Sequence, residues 1–211
     1  MEILSFKSLP STQKFLLEKL EAGKLQVPVA VIAEEQSSGI GSRDNEWSGG
    51  KGNFFVSIAI SLNNLPSDLP LSSSSIYFSY IMKKTLEEMG ENVWLKWPND
   101  FYLNGEKVGG TITRKMKNIV VFGIGINLKK SENGYTSLQS DISPENLLLS
   151  YIERLMKFPK WKQVFSEYQI EFELSRRFSV HIENDKKNLA DATLCSDGSL
   201  IFGGKRVYSL R

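Results

Sequence analysis

The chain has 211 residues, 41% of them hydrophobic and 24% charged, which is typical of a globular protein with one domain and room for a small appendage. Its 26 lysines and arginines against 24 aspartates and glutamates leave a net charge of +2, so no strong field favours nucleic acid or an anionic membrane. One cysteine and one histidine exclude an internal disulfide and argue against a zinc site, and no apolar run reaches the roughly 20 residues of a membrane span.

The first quarter of the chain predicts two strands, one helix and a long loop. Residues 1–13 hold an acid and only a short apolar patch, which is not a secretion signal, so we expect a cytoplasmic protein. Within them, Pro10-Ser11-Thr12 predicts a helix start. Residues 27–33 and 54–62 are β-rich apolar runs that predict buried strands. Between these runs, residues 36–53 contain five glycines and few aliphatics, which indicates a long functional loop.

The middle of the chain predicts a helix followed by a hairpin. A serine run at 72–75 begins the helix and Gly90 ends it. Its apolar residues form one stripe, and we expect four charged side chains to face away from the core: Lys83, Lys84, Glu87 and Glu88. Asn104-Gly105 is a strong turn signal, so residues 93–97 and 108–113 are predicted to be the two arms of a hairpin.

The last part of the chain predicts one more strand, two helices and a small β unit. Residues 118–128 form the strand, and Ser143-Pro144-Glu145 places a cap, a proline and an acid at a helix start. Another helix follows from Trp161, and short β-like runs alternate with turns after residue 175. We therefore predict an α+β protein, with a mixed sheet flanked by helices in residues 1–175 and a small β domain in residues 176–211.

Nucleotide-binding fingerprints are absent, since there is no P-loop and Gly39-x-Gly41 lacks the third glycine of a dinucleotide turn. Two segments could still bind a phosphorylated ligand. The loop at 36–53 offers the planar charge of Arg43 and the stacking surface of Trp47, although it could equally be a mobile loop with incidental charge. The segment at 96–100, Lys-Trp-Pro-Asn-Asp, could steady a phosphate and hold Mg²⁺ through water, or it could be an ordinary turn.

Three further patterns are weaker. Lys107 precedes two glycines in a strand, which suggests the close approach of an anionic ligand or an ordinary hairpin with a solvated lysine. Gly123 and Gly125 leave one strand face bare, either for a flat ligand or for close packing against a helix. The hydroxyls of Ser11-Thr12 could bind a ligand, although capping of the first helix is their more common role.

The order of these motifs is more specific than any one of them. The chain closely resembles the biotin–protein ligase family in a series that runs Ser11-Thr12-Gln13, Glu34-Glu35-Gln36 with Gly39, Gly41 and Trp47, KWPND at 96–100, Lys107 to Gly110, and GIGIN at 123–127. The similarity returns at 209–211, Ser-Leu-Arg. It implies a class II synthetase-like catalytic fold with a small SH3-like C-terminal domain. Because Ser11 lies near the start, we expect the monofunctional type, without a preceding DNA-binding domain.

The resemblance implies an ATP-dependent enzyme that activates biotin as biotinyl-5′-AMP and attaches it to a lysine of a biotin carboxyl carrier protein. Lys107 and Arg43 would be the catalytic cations. Biotin would contact Ser11, Thr12, Gln13, Gln36, Gly39, Ile40, Gly41, Ser42, Lys107, Gly110 and Gly123. ATP would contact Trp47, Lys96, Asn99, Asp100, Asn127 and Arg211, with Asp100 as the Mg²⁺ ligand. The resemblance implies a monomer or a homodimer that binds neither nucleic acid nor a membrane.

The chain departs from the family in the phosphate-facing loop. Ile40 stands where the family usually has an arginine, and Ser42 stands in a slot that is arginine or serine in the family. Glu46 stands where a basic residue often precedes the tryptophan. We therefore expect activity with weaker retention of the adenylate. One alternative is a lipoate–protein ligase or octanoyl transferase of the same fold, because residues 48–52 superficially resemble a serine- and glycine-rich segment of those families. The other alternative is a non-catalytic biotin-binding module.

Overall fold

The computed structural model describes residues 1–41, 46–129, 136–182 and 185–208. The four helices of this described part are α1 Thr12–Glu21, α2 Ser74–Glu88, α3 Pro144–Leu155 and α4 Trp161–Ser175. Its strands are β1 Glu2–Phe6, β2 Val29–Ala33, β3 Gln36–Ile40, β4 Glu46–Gly49, β5 Phe54–Ser61, β6 Trp94–Lys96, β7 Asp100–Leu103, β8 Glu106–Met116, β9 Ile119–Ile126, β10 Ser179–Ile182, β11 Asp185–Asn188, β12 Thr193–Leu194, β13 Leu200–Phe202 and β14 Lys205–Val207. Among these residues, no helix is long and apolar enough to cross a membrane.

A seven-stranded sheet in the order β1-β2-β5-β9-β8-β7-β6 organises the main body. The pair β1–β2 is parallel and every other pair is antiparallel, so the mixed sheet of an α+β fold is confirmed. β1 was not predicted, because its apolar patch is short and its side chains are mostly exposed at the edge of the sheet. The strands predicted at 27–33, 54–62 and 118–128 are the central ones, β2, β5 and β9.

Helices cover both faces of the sheet. All five residues of β2 are buried, and the first four alternate between two clusters, as expected of a strand with helices on both sides. Val29 and Val31 pack with Leu16 and Leu17 of α1, whereas Ala30 and Ile32 belong to the larger cluster beneath α2, α3 and α4. The three predicted helix starts agree with these helices, and Ser143 caps α3 by accepting a hydrogen bond from the Asn146 amide.

Two predictions about local structure are wrong. Residues 36–53 are not one long loop, because β3 and β4 pair as a two-stranded antiparallel ribbon. The turn at Asn104-Gly105 exists, with a positive φ at both residues, but it joins β7 to β8. The predicted first arm, β6, pairs instead with the far side of β7. Residues 100–103, between the two predicted arms, form β7 with Phe101 and Leu103 buried.

The helical pattern also predicts the wrong environment for the Lys83 side chain. Twelve of the fifteen residues of α2 are buried, and Lys83 is among them, at 9% exposure, instead of facing solvent. Its Nζ lies 2.5 Å from Glu87 Oε1 and 3.5 Å from Glu171 Oε2 of α4. Burial raises the pKa of the Glu171 carboxyl, although Lys83 opposes this. The helix can bury this lysine because Glu87 of the same helix and Glu171 of α4 both supply counter-charge.

The C-terminal strands form two small antiparallel sheets, β10–β11 and β12–β13–β14. They dock on the main body through residues 196–198. The indole of Trp161 donates to Ser196 O at 2.9 Å, that of Trp97 donates to Gly198 O at 3.0 Å, and Ser73 Oγ donates to Asp197 O. The division at residues 175 and 176 stays a prediction, and it falls in the short link between α4 and β10.

Gly198 offers a test of this docking. Its φ is +77°, and an added Cβ would lie 2.7 Å from Ser73 Oγ and 3.0 Å from Ile76 Cδ1. Gly204 has a similar φ of +83° but nothing within 4 Å of its Cβ position. Gly204→Ala is therefore expected to lower the free energy of unfolding by about 1 kcal/mol through backbone strain. Gly198→Ala should lower it by roughly a further 1–3 kcal/mol through overpacking, measured by urea unfolding. Equal losses in both variants would contradict the docking contact.

Candidate functional site

A cavity of about 470 Å³, partly open to solvent, lies between the N-terminus of α1, the β3–β4 ribbon and strands β5, β7, β8 and β9. Twelve of the residues predicted to bind a ligand line it: Ser11, Thr12, Gln13, Gln36, Ile40, Gly41, Trp47, Asn99, Asp100, Lys107, Gly110 and Gly123. The fold thus brings together motifs that are up to 112 positions apart in the chain, since 123 − 11 = 112.

Hydroxyl and amide groups form a network on the α1 side of the cavity. Gln36 Oε1 accepts hydrogen bonds from the Thr12 amide at 2.7 Å and from Thr12 Oγ1 at 3.0 Å. Ser57 Oγ lies 2.9 Å from Thr12 Oγ1 and donates to Gln13 Oε1 at 3.2 Å. Ser11 accepts the Lys14 amide as the cap of α1. These groups hold one another in fixed orientations before any ligand arrives.

Ser57 was missed by the sequence reasoning. It lies in the middle of β5, is fully buried, and joins the side chains of Thr12 and Gln13. A single hydroxyl in an otherwise apolar buried strand was a usable clue, because a buried polar group needs a partner. Thr111, which also lines the cavity, was not among the predicted contacts either, and Gly125 was named only as part of a bare strand face.

A bulge in β8 places the main cation of the cavity. Asp100 pairs with Gly110, and Tyr102 pairs with Lys107, so β8 has one more residue than β7 over this stretch. In a regular strand, residues 107 and 110 would face opposite sides, whereas the extra residue returns Lys107 to the side of Asp100. Lys107 Nζ consequently lies 2.7 Å from Asp100 Oδ1 and 5.6 Å from the centroid of the Trp47 ring.

Glycines on β8 and β9 make room for neighbouring side chains. A Cβ at Gly125 would lie 2.9 Å from the Trp47 indole, and one at Gly123 would lie 2.7 Å from Gln13 Oε1. The bare strand face that suggested a flat ligand is therefore covered by a side chain of the β3–β4 ribbon and by one of α1. Close packing against a helix, the alternative interpretation, applies to Gly123. Trp47 Nε1 is buried and has no hydrogen-bond partner among the described residues.

Asn99 and Asp100 reach the cavity from the turn between β6 and β7. Asn99 Nδ2 donates to Thr111 O, and the Thr111 amide donates to Asn99 O at 2.9 Å, so this turn is fixed to β8. Asp100 is 21% exposed. Its charge also contributes, after burial, to raising the pKa of the Tyr102 hydroxyl. A carboxylate and a carboxamide in one turn are suitable oxygen ligands for a hydrated Mg²⁺ ion.

The turn is supported from outside by α4. The Leu95 amide donates to Glu171 Oε1 at 3.1 Å, and the Trp97 amide donates to Ser175 Oγ at 3.1 Å. β6 is the edge strand of the sheet, so these two side chains satisfy the backbone groups that a further strand would otherwise pair. This support was not predicted, because the partners are about 80 positions apart in the chain.

Three predicted contacts do not line the cavity. Gly39 lies behind Trp47, because a Cβ there would meet Trp47 O at 2.4 Å. Lys96 Nζ lies 3.5 Å from Tyr102 Oη and over the Phe178 ring, and Asn127 Nδ2 donates to Thr136 O at 3.1 Å. Three others, Ser42, Arg43 and Arg211, lie outside the described residues. The functional roles of all six stay predictions.

Comparison with known proteins agrees with this arrangement. The model of the biotin/lipoate A/B protein ligase family matches residues 5–131, more than half of the chain and nearly all of the cavity. The chain belongs to this family. The match ends at residue 131, shortly after β9. It therefore does not include α3, α4 or the C-terminal strands.

Solved structures of the family extend the likeness to the whole chain. Biotin acetyl coenzyme A carboxylase synthetase from Helicobacter pylori, solved with bound biotinylated ATP, is 38% identical over 98% of this chain and 99% of that one, with a TM-score of 0.94. Biotin protein ligase from Aquifex aeolicus, in complex with biotin and ATP, has a TM-score of 0.77 at 19% identity, which shows a common fold.

Among curated relatives, the bifunctional ligase/repressor BirA of Escherichia coli is 32% identical over 127 residues. That alignment covers 57% of this chain and 38% of BirA, so the chain spans well under half of the relative.

The contact between Trp47 and Gly125 can be tested. Gly125→Ala should displace the indole, because the new methyl group would lie 2.9 Å from it. We expect a large shift of the Trp47 indole N–H resonance in a two-dimensional NMR spectrum, with little change in the resonances of Trp94 and Trp161. Gly50→Ala is the matched control, since nothing lies within 4 Å of that Cβ position. An unmoved Trp47 resonance in the Gly125 variant would refute the contact.

Proposed function

We propose that the chain is a biotin–protein ligase, which uses ATP to join biotin to a lysine of a biotin carboxyl carrier protein. The observation that carries this proposal is a single cavity with two chemically different sides. Thr12, Gln36 and Ser57 offer hydrogen-bonding groups suited to a ureido ring, and Lys107 offers a cation for a carboxylate or phosphate. The Helicobacter protein, similar over its whole length, was solved with biotinylated ATP bound.

The proposed reaction has two steps. A biotin carboxylate oxygen attacks the α-phosphorus of ATP, the bond to the β-phosphate oxygen breaks, and pyrophosphate leaves. The neutral ε-amine of a carrier lysine then attacks the carbonyl carbon of biotinyl-5′-AMP, AMP leaves, and the amine loses a proton to form the amide. Neither step needs a protein nucleophile. This is consistent with Cys195 and His181, which lie in the C-terminal part of the chain and do not line the cavity.

Positioning and charge must therefore supply the catalysis. Lys107 would hold the biotin carboxylate against the α-phosphate and neutralise charge that develops on it. Asp100, assisted by the Asn99 carboxamide, would hold Mg²⁺ with water and phosphate oxygens as its other ligands. The ion would supply additional neutralisation of the phosphates. The donor set fits this, because one carboxylate and one carboxamide line the cavity side by side and Mg²⁺ keeps much of its water.

Partner, compartment and assembly are parts of the same proposal. The acceptor would be a biotin carboxyl carrier domain, met in the cytoplasm by a monomer or a homodimer.

Biotin-dependent exchange of pyrophosphate into ATP tests the ligase activity, with lipoate and octanoate as alternative acids. Exchange with lipoate or octanoate but not biotin would favour a lipoate–protein ligase, and a thermal shift with octanoate alone, without exchange, would favour an octanoyl transferase. A thermal shift with biotin but no exchange would favour a binding module.

Lys107 provides the most direct test of the chemistry. Lys107→Ala should lower the rate of biotin-dependent pyrophosphate exchange by roughly 10²–10³, because a cation aimed at the reacting phosphate is removed. Its circular dichroism and unfolding midpoint should remain close to those of the unaltered protein, since the side chain is 39% exposed. Lys157→Ala, on the exposed face beyond α3, is the control and should exchange normally. Near-normal exchange by the Lys107 variant would refute its assignment.

The composition of the loop predicts early release of the adenylate. Ile40 lines the cavity, is 43% exposed and carries no charge to attract a phosphate. Ile40→Arg should slow the release of biotinyl-5′-AMP roughly threefold to tenfold, as expected of one added charge-assisted contact near the surface. The measurement is filtration of the preloaded protein over time. Leu149→Arg, an exposed site on α3, controls for added charge. Equal retention by the unaltered and Ile40 variant proteins would contradict the prediction.

A further inference from the structure

The cavity already contains an anion. Of the described side chains that line it, Asp100 and Lys107 are the charged ones, and their Oδ1 and Nζ atoms are 2.7 Å apart. The cation expected to hold the ligand carboxylate is therefore paired with a carboxylate of the protein. The described lining of the empty cavity has no net charge.

The pairing is built into the strands. The β8 bulge turns Lys107 to the side of Asp100, and the register places Asp100 opposite Gly110. A Cβ at Gly110 would lie 3.3 Å from Asp100 Oδ1 and 3.7 Å from Lys107 Cε, so the absence of a side chain there leaves the space in which the two groups meet. The Trp47 ring lies over the same ammonium, 5.6 Å from its centroid to Nζ.

We infer that Asp100 sets the affinity of the cavity for carboxylate ligands by competing with them for Lys107. This inference rests on the proposed function. A ligand carboxylate must share or replace the Asp100 contact, and it experiences repulsion from that like charge at short range. A neutral ligand of the same shape experiences neither effect. Asp100 is thus a specificity-determining residue for the charge state of the ligand, apart from any part it takes in holding Mg²⁺.

Such competition has a use in catalysis. An interaction that is equally strong in the ground state and the transition state does not lower the barrier of the chemical step. By weakening the contact between Lys107 and the free acid, Asp100 limits ground-state binding. Lys107 remains positioned for the charge that develops when the phosphate reacts. Because of the ion pair, Lys107 therefore contributes more to stabilising the transition state than to binding biotin in the ground state.

The test compares Asp100→Asn with the unaltered protein by titration calorimetry, without ATP or metal. The ligands are biotin and its uncharged amide, biotinamide. Asparagine keeps the size of the side chain and one acceptor oxygen, replaces the other oxygen by a donor NH2 group, and removes the charge. We expect the variant to bind biotin roughly threefold to tenfold more tightly, a modest factor because both groups are partly exposed to solvent. Binding of biotinamide should stay within about twofold.

Two controls isolate the ion pair. In a Lys107→Met background, Asp100→Asn should give no gain in biotin affinity, since there is no cation left to release; this is a double-mutant cycle for the pair. Asp185→Asn makes the same chemical change in the Asp185–Lys187 pair of the C-terminal strands, and should alter neither affinity. Thermal unfolding of each variant verifies that it is folded at the temperature of the titration.

The outcomes separate the two proposals. If the unaltered protein binds biotin and Asp100→Asn binds it equally or more weakly, the competition is wrong and the proposed function stands. An equal gain for biotin and biotinamide would also overturn the inference, because the effect would not depend on ligand charge. If the unaltered protein binds no biotin, both proposals fail. A gain for biotin alone, abolished in the Lys107→Met background, establishes the competition.

Discussion

The extra residue of β8 opposite β7 is the constraint on which the cavity depends. Without the bulge, the alternation of a strand would turn Lys107 away from Asp100 and Gly110. With it, the pairing of β8 with β9 continues undisturbed from Gly109 to Met116. The sheet can therefore be regular where it forms the core and irregular only where it carries the reactive cation. Bulges next to active sites commonly redirect a side chain in this way.

The same edge of the sheet depends on parts of the chain that follow it by about 80 to 100 residues. Glu171 and Ser175 of α4 complete the hydrogen bonds of β6, and Gly198 of the C-terminal part accepts the Trp97 indole. Asn99 and Asp100 follow directly on this anchored strand. The helices and C-terminal strands beyond the family match therefore contribute to the geometry of the cavity, even though they do not line it. This gives them a physical reason to be present beside a site formed by the first 125 residues.

The sequence predicts the structural features that depend on residues close together in the chain better than those that depend on residues far apart. The central strands, the helix starts and the cap at Ser143 follow from composition and spacing within a few residues. The burial of Lys83 does not, because it depends on Glu171, which is 88 positions away. The β3–β4 ribbon was missed since its polar, glycine-rich residues lack the alternation of a half-buried strand. The family resemblance located most of the cavity, whereas Ser57 and the bulge required the three-dimensional register.

Two side chains of the protein lie against the binding surfaces of the cavity. Trp47 lies on the face that Gly125 leaves open, its Nε1 buried without a partner among the described residues, and Asp100 neutralises Lys107. Both groups can yield to a ligand without disturbing the sheet, because they are side chains at its surface. The rigid strands and the α1 network provide the fixed geometry, while the replaceable contacts keep the ground-state affinity low, as a site that works by positioning and charge requires.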